Sequence, residues 1–349
     1  MARLFDRNWT RTELLNHVGD LSQVAGVKQG EWSDGNERGL RVAEIRSGSG
    51  LAFTILLDRS MDIGPASYKG LPLAWISPTG FGHPMYYDPE GINWLRTFGG
   101  GLLTGCGLTS VGSPGEDEGE SLGLHGRLSH LPAQRLGVEE IWQGDECSFA
   151  VKGEMKQVRV FGENLHLKRR ITVGLGSNTI GIHDVVENHG MTTSPLMLLY
   201  HINLGFPLLD ESAELVARPH IVEARDAIAE PGLKEWMQFQ APTPGYQEQV
   251  FYHDLPADEN GWAGLELVSR ARNLQLGVRF QKATLPNLVQ WKMMGQGSYV
   301  LGLEPANCHV SGRSQERTRG TLQFLQAGES REFRVEITVN EAADTNGSL

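Results

Sequence analysis

Apolar and polar residues alternate with a period of two along much of the chain, the spacing that sends successive side chains to opposite faces of a strand. Phe333, Val335, Ile337 and Val339 share one face, with Arg334, Glu336 and Thr338 between them. Leu274, Leu276, Val278 and Phe280 repeat the pattern against Asn273, Gln275, Arg279 and Gln281. Phe149, Val151 and Met155 form a third set with Gly153 in phase, and Leu165, Leu167, Ile171 and Val173 a fourth, interrupted by Arg169. Each set predicts a strand with one buried and one wetter face. Helix signals are thin. Thr10 and Glu13 have capping-box spacing ahead of Leu14, Leu15, Val18 and Leu21, and a second short helix is expected near residues 91–96. No alternation of strand and helix patterns appears, which disfavours a doubly wound sheet.

Composition sharpens this picture. Glycine supplies 43 of 349 residues without a collagen-like period, so many turns and bulges are expected. The acidic segment GSPGEDEGESLG (112–123) reads as a long loop, because strand patterns continue on both sides of it. One domain is therefore expected over residues 1–349, with its core at about 30–340 and a frayed tail over residues 342–349. The formal net charge of −11 excludes nucleic acid as a main partner, since phosphate binding needs a basic surface. A neutral small molecule suits this balance. Cys106, Cys147 and Cys308 have no metal-site spacing and are expected reduced. The start lacks a signal-peptide core, and the most apolar stretch (195–209) is broken by His201 and Asn203 and is too short to span a bilayer. The expectation is a soluble, cytoplasmic protein without a membrane partner.

Four segments could carry chemistry. In PLMLLYHINLGFP (195–207), Leu198, Tyr200, Ile202 and Leu204 share one strand face while Met197, Leu199, His201 and Asn203 share the other. His201 and Asn203 would then stand about 7 Å apart, looking into the same space. A histidine satisfied inside a core fits this segment equally well. In SYVLGLEPAN (298–307), Tyr299, Leu301 and Leu303 share one face, and Val300, Gly302 and Glu304 share the other. Pro305 holds Glu304 extended at the strand end. A carboxylate there is either salt-bridged or poised as a general base, since burial without a partner is costly. In LGLHGRLSHLP (122–132), His125 and Arg127 lie on one side and Gly123 and Gly126 permit close approach. In the segment 56–78, Arg59 could hydrogen-bond ligand hydroxyls or pair with Asp62.

Taken in order, these segments resemble the aldose 1-epimerase (galactose mutarotase-like) superfamily, and specifically a bacterial aldose epimerase-like branch. The motifs are DRSMDIGPASYKGLPLAW (58–75), GGLLTGCGL (100–108), LHGR (124–127), YHINLG (200–205) and GLEPAN (302–307). The resemblance runs from about residue 51 to 339. It implies an all-β fold, a β-supersandwich of two large antiparallel sheets with few short helices and an open cleft. It also implies catalytic roles for His201 as general acid and Glu304 as general base, and a sugar contact for His125. The family's Asn-Arg-Ile segment is absent, and Thr104–Gly107 stands in its place. At least one of Arg59, Arg127 and Lys292 is expected to supply the missing substrate cation. Asn203 shares the expected binding face, and Asp254 in FYHD is the candidate for the family's binding aspartate. Lys292 shares a predicted face with Gln290, which assigns Trp291 to the core.

The function implied is a carbohydrate isomerase that interconverts sugar anomers by Glu/His acid–base catalysis on a small-molecule sugar. No cofactor is expected, and the chain carries no dinucleotide fingerprint, P-loop or H-E-x-x-H motif. Two alternatives remain open on the same scaffold: a non-catalytic sugar-binding or sensing protein, and a lyase or isomerase of a modified sugar or sugar acid.

Overall fold

A computed structural model describes residues 1–218 and 221–342, so most of the expected tail lies outside the described residues. Three antiparallel sheets make the body of the fold. The largest has eight strands in the order Gln134–Gln143, Glu146–Val158, Asn164–Gly174, Thr179–Asn188, Ser330–Asn340, Leu274–Gln281, Trp262–Ser269 and Ala213–Val216. The second has seven. Six follow the order Ile221–Ala224, Gln249–Asp254, Asn287–Gly295, Ser298–Ala306, Ser194–Gly205 and Gln323–Leu325, and Thr104–Leu108 also pairs with Ser194–Gly205. A five-stranded sheet runs from Gly26–Glu31 to Leu71–Pro72. This is the expected all-β architecture.

The four alternating sets behave as their spacing predicts. Phe333, Val335, Ile337 and Val339 are buried, as are Leu274, Leu276, Val278 and Phe280, and all join one core with Leu198, Tyr200, Ile202 and Leu204 of the second sheet. The interruption at Arg169 is a buried charge. Its guanidinium donates to both oxygens of Asp184 and to the Ser60 carbonyl, and Tyr200 Oη donates to Asp184 Oδ2 at 2.8 Å. Arg169 thus keeps the strand's inward phase because its charge is neutralised in place.

The opposite face of the second sheet is covered as well. Met197, Leu199, Cys106, Val250, Val289 and Ala306 pack there with Trp94, Phe98 and Val310 in a second apolar cluster. This double coverage explains why 195–204 reads as a nearly continuous apolar run, unlike the half-wet strands of the first sheet.

Helices are few. The Thr10–Glu13 capping box forms, but the helix it starts covers only Arg11–Leu15. Leu21 belongs to a separate 3₁₀ turn, so the expected stripe is split. The helix expected near 91–96 is the 3₁₀ turn Asn93–Arg96. The acidic loop holds a short hairpin, Gly115–Asp117 with Glu120–Leu122, clamped through Asp117 by Arg313 and Arg317 of the Arg313–Arg319 helix. Among the described residues no helix is long and apolar enough to cross a membrane.

Candidate functional site

The register of the seven-stranded sheet sets one row of side chains across five strands. Tyr252 pairs with Val289, Val289 with Glu304, and His201 with Thr104. Leu199 pairs with Ala306 and Ile202 with Leu303, which places His201 opposite Glu304 on neighbouring strands. Both side chains stand on the face away from the main core. Their atoms meet there: His201 Nε2 lies 3.2 Å from Glu304 Oε1, with both side chains almost wholly buried. The contact is close but not aligned as a hydrogen bond, and Glu304 Oε1 has no partner among the described residues.

Loss of water governs the pair's protonation. Burial pushes the Glu304 carboxyl well above its ordinary range, reinforced by the Glu248 charge and opposed by Arg225. Burial likewise pulls the His201 imidazole well below its ordinary value, with His125 adding to the effect. Both shifts act in one direction, favouring the uncharged carboxyl beside the uncharged imidazole over the separated charges.

His125 reaches the same place from the LHGR loop. Its backbone sits in the left-handed region (φ 56°), followed by Gly126 at φ 73°. Any Cβ at 126 would fall 2.3 Å from the Ser110 carbonyl oxygen and 2.6 Å from that of Gly107, so this tight turn requires glycine. The turn is pinned by His125 N donating to Gly112 O and Gly107 N donating to His125 O. The His125 ring meets the His201 ring edge-on, with centroids 5.7 Å apart. One edge faces the cleft, while Nδ1 is sealed without a partner among the described residues, and desolvation pulls the pKa down to about 4.

These three residues share a cleft of about 470 Å³, within the usual range for small-molecule sites. Trp75, Trp94, Phe98 and Trp291 give it aromatic walls, and Arg225 and Glu248 give it charged ones. The Trp291 indole stands edge-on to His201 at 5.5 Å and donates from Nε1 to Glu248 Oε2 at 2.8 Å. Among the described residues, no cluster of three or more His, Cys, Asp or Glu is arranged to hold a metal ion.

The comparisons with known proteins fit this geometry. A family model described as a domain of unknown function, DUF4432, matches residues 37–339. The chain belongs to the DUF4432 family. A putative aldose 1-epimerase from Klebsiella pneumoniae subsp. pneumoniae is similar in structure at TM-score 0.86 and 27% identity, over 90% of this chain and 83% of that one. A galactose mutarotase-like protein from Clostridium acetobutylicum aligns at TM-score 0.59 and 12% identity, over 91% and 99%. A galactose 1-epimerase from Lactobacillus acidophilus aligns at TM-score 0.56 and 11% identity, over 91% and 100%. The last two bear on fold alone. No protein of curated function matches the sequence. This DUF4432 chain therefore has the galactose mutarotase-like fold that its motifs resemble.

Within this DUF4432 fold, the remaining sequence candidates fall outside the cleft lining. Arg59 is buried behind its wall, donating to the Gly82 and Thr97 carbonyls, so it braces the 82–97 segment. Lys292 points to the other side of its strand, where Nζ donates to the Glu235 carbonyl. Trp291, on the opposite face as predicted, lines the cleft, a correction to its expected place in the core: the parity holds, but the cleft is on the indole's side of the strand. Arg127 caps a 3₁₀ turn and is exposed. Asp254 is also exposed and pairs with Lys282. Asn203 donates to the Gly101 and His201 carbonyls, anchoring backbone next to the site. The cation that does line the cleft is Arg225, which no motif marked. Nor did any local pattern mark Glu248, which stands just before the Gln249–Asp254 strand.

Proposed function

We propose that this protein is a sugar isomerase of the aldose 1-epimerase kind, with His201 and Glu304 as its acid–base pair. The observation that carries this reading is the 3.2 Å approach of His201 Nε2 to Glu304 Oε1 at the cleft. Anomer exchange needs one proton removed from the anomeric hydroxyl and one delivered to the ring oxygen. Those two oxygens share a carbon, so two groups this close can serve both.

The proton inventory balances. With the proton on His201, the Glu304 carboxylate takes the hydroxyl proton while the imidazolium protonates the ring oxygen. The ring opens, leaving Glu304 neutral, His201 neutral and a free aldehyde. Rotation about the C1–C2 bond and reversal of both transfers closes the other anomer. The form with the proton on Glu304, favoured by burial, is the form that accompanies the open-chain sugar. Sugar hydroxyls entering the cleft replace lost water and stabilise the charged form needed to start. His125, held nearly uncharged by desolvation, acts as a neutral hydrogen-bonding partner for the sugar.

The test is anomer-exchange NMR on a panel of aldoses. Glu304→Gln should lower the rate about 10²–10⁴-fold while sugar binding stays within a few-fold, as expected for loss of a general base. His201→Asn should behave alike, and the double variant should lose far less than the product of the two, because the groups act as a unit. Saturable binding with no exchange by the unmodified protein would instead mark a sugar-binding protein.

A further inference from the structure

We propose that Arg225 and Glu248 form a specificity pair that reads hydroxyls of an uncharged sugar and turns away sugars bearing a carboxylate or phosphate. This rests on reading the cleft as a sugar site, and it names the class of sugar that fits.

The two residues come from neighbouring strand ends. Arg225 follows Ile221–Ala224 and is tied by its backbone N–H to the Val250 carbonyl, while Glu248 leads into Gln249–Asp254. Arg225 Nη2 donates to Glu248 Oε1 at 3.2 Å, and its Nε donates to Asp226 Oδ2 at 2.7 Å. Trp291 Nε1 holds the other Glu248 oxygen. The indole thus bridges two polar centres, with His201 against one side and Glu248 at its Nε1.

Charge decides what this second centre accepts. Among the described lining residues Arg225 is the sole Lys or Arg, facing the carboxyl groups of Glu248 and Glu304. Its charge is already opposed by Glu248 and Asp226. A ligand anion would have to displace those partners or sit against Glu248, and like charges brought together in a sheltered cleft repel. A hydroxyl meets no such conflict, because it donates and accepts at once. It can donate to Glu248, whose oxygens each retain acceptor capacity, and accept from Arg225 Nη1, which has no acceptor among the described residues. Arg225 is 26% and Glu248 47% exposed, so a ligand can reach both. Adjacent donor and acceptor groups of this kind suit neighbouring hydroxyls on one ring. Sites built to hydrogen-bond a hydroxyl also reject analogues lacking it strongly, since polar groups are left unpaired.

The experiment is a fluorescence titration of the full chain at pH 7, using the tryptophans that line the cleft. The probes are glucose, galactose and xylose, with glucuronate, galacturonate and glucose 6-phosphate as charged counterparts. A neutral sugar should bind at least about ten-fold more tightly than its charged counterpart. Glu248→Gln removes one counter-charge while keeping the shape, so this preference should shrink about ten-fold or more. Arg225→Gln should weaken neutral-sugar binding about ten-fold or more through loss of charged hydrogen bonds. Circular dichroism identifies any variant that fails to fold, in which case the other variant decides. The proposal is overturned if a charged sugar binds as tightly as its neutral counterpart, if no neutral sugar binds, or if a folded Glu248→Gln protein keeps the original ratio. Anomer exchange is scored separately. Discrimination without exchange would remove the isomerase reading and leave this one standing.

Discussion

Gly302 stands two residues before Glu304 on the same strand face, and a Cβ at position 302 would lie 2.6 Å from Glu304 Oε1 and 3.0 Å from Trp291 Cβ. Two cleft residues therefore occupy the volume that any other side chain at 302 would claim. Gly302→Ala must shift the carboxylate from its place beside His201, and small misplacements of reacting groups can cost about 10²-fold in rate. An exchange rate reduced about 10–100-fold, with a stability loss of about 1–3 kcal/mol from overpacking, is expected from NMR and urea melts.

The pH dependence of exchange follows from the two opposed shifts at the acid–base pair. The proposed mechanism requires one proton on the pair. On acidification a second proton goes to His201, whose affinity is depressed, so the acid limb should lie well below the ordinary histidine value of about 6.5. On raising pH the single proton leaves from a pair whose carboxyl is shifted upward, so the alkaline limb should lie well above the ordinary carboxylate range. A bell-shaped profile in kcat/KM, its two limbs displaced in these directions, is expected. An acid limb at or above the ordinary histidine value would contradict the desolvation described for His201.

Stability should respond to His125 in a defined window. Its folded-state pKa is lowered to about 4, so above about 6.5 its contribution is complete and it is lost as pH falls towards 4. Between those values unfolding takes up a proton that the folded ring refuses, worth at most about 1.4 kcal/mol per pH unit for one proton. Urea melts at pH 7 and pH 4.5 should show a smaller acid loss in His125→Gln than in the unmodified protein.

Arg169 offers a stability test remote from the cleft. Replacing it by Leu leaves Asp184 buried without its counter-ion, which should cost about 3–5 kcal/mol. Tyr200→Phe removes only the hydroxyl donated to Asp184 and should cost about 1–2 kcal/mol. Chemical denaturation of the two variants should keep that order.

The fold was legible because strands buried on one face leave a two-residue rhythm, as at 333–339 and 274–280. Arg169 looked like a fault in that rhythm, since a buried guanidinium is recognisable only once Asp184 and Tyr200 are known to surround it. His201 and Glu304 could be named because they stand on apolar strands where a polar group needs a reason. Their meeting depends on register, which a single strand does not encode. Arg225 and Glu248 left no such trace. Both sit just outside short strands, Arg225 beside Asp226 and Glu248 between two glutamines, and the pairing of Arg225 with Val250 brings them to the cleft. Trp291 was misplaced by the choice of face and not by parity: Lys292 and Gln290 share one side of the strand as predicted, but that side is turned to the Glu235 and Trp236 carbonyls and the indole's side is the cleft.

The row from Tyr252 to Thr104 makes the backbone ladder a ruler for chemistry. His201 and Glu304 occupy facing positions on adjacent strands, whose separation is held near 4.8 Å by main-chain hydrogen bonds. Their spacing is thus inherited from peptide geometry rather than from side chains on loops. Substitutions in the cleft walls can change the shape and chemistry of the cavity while leaving that measure intact. The walls of the cleft and the interval between these two side chains are thus set by different parts of the molecule.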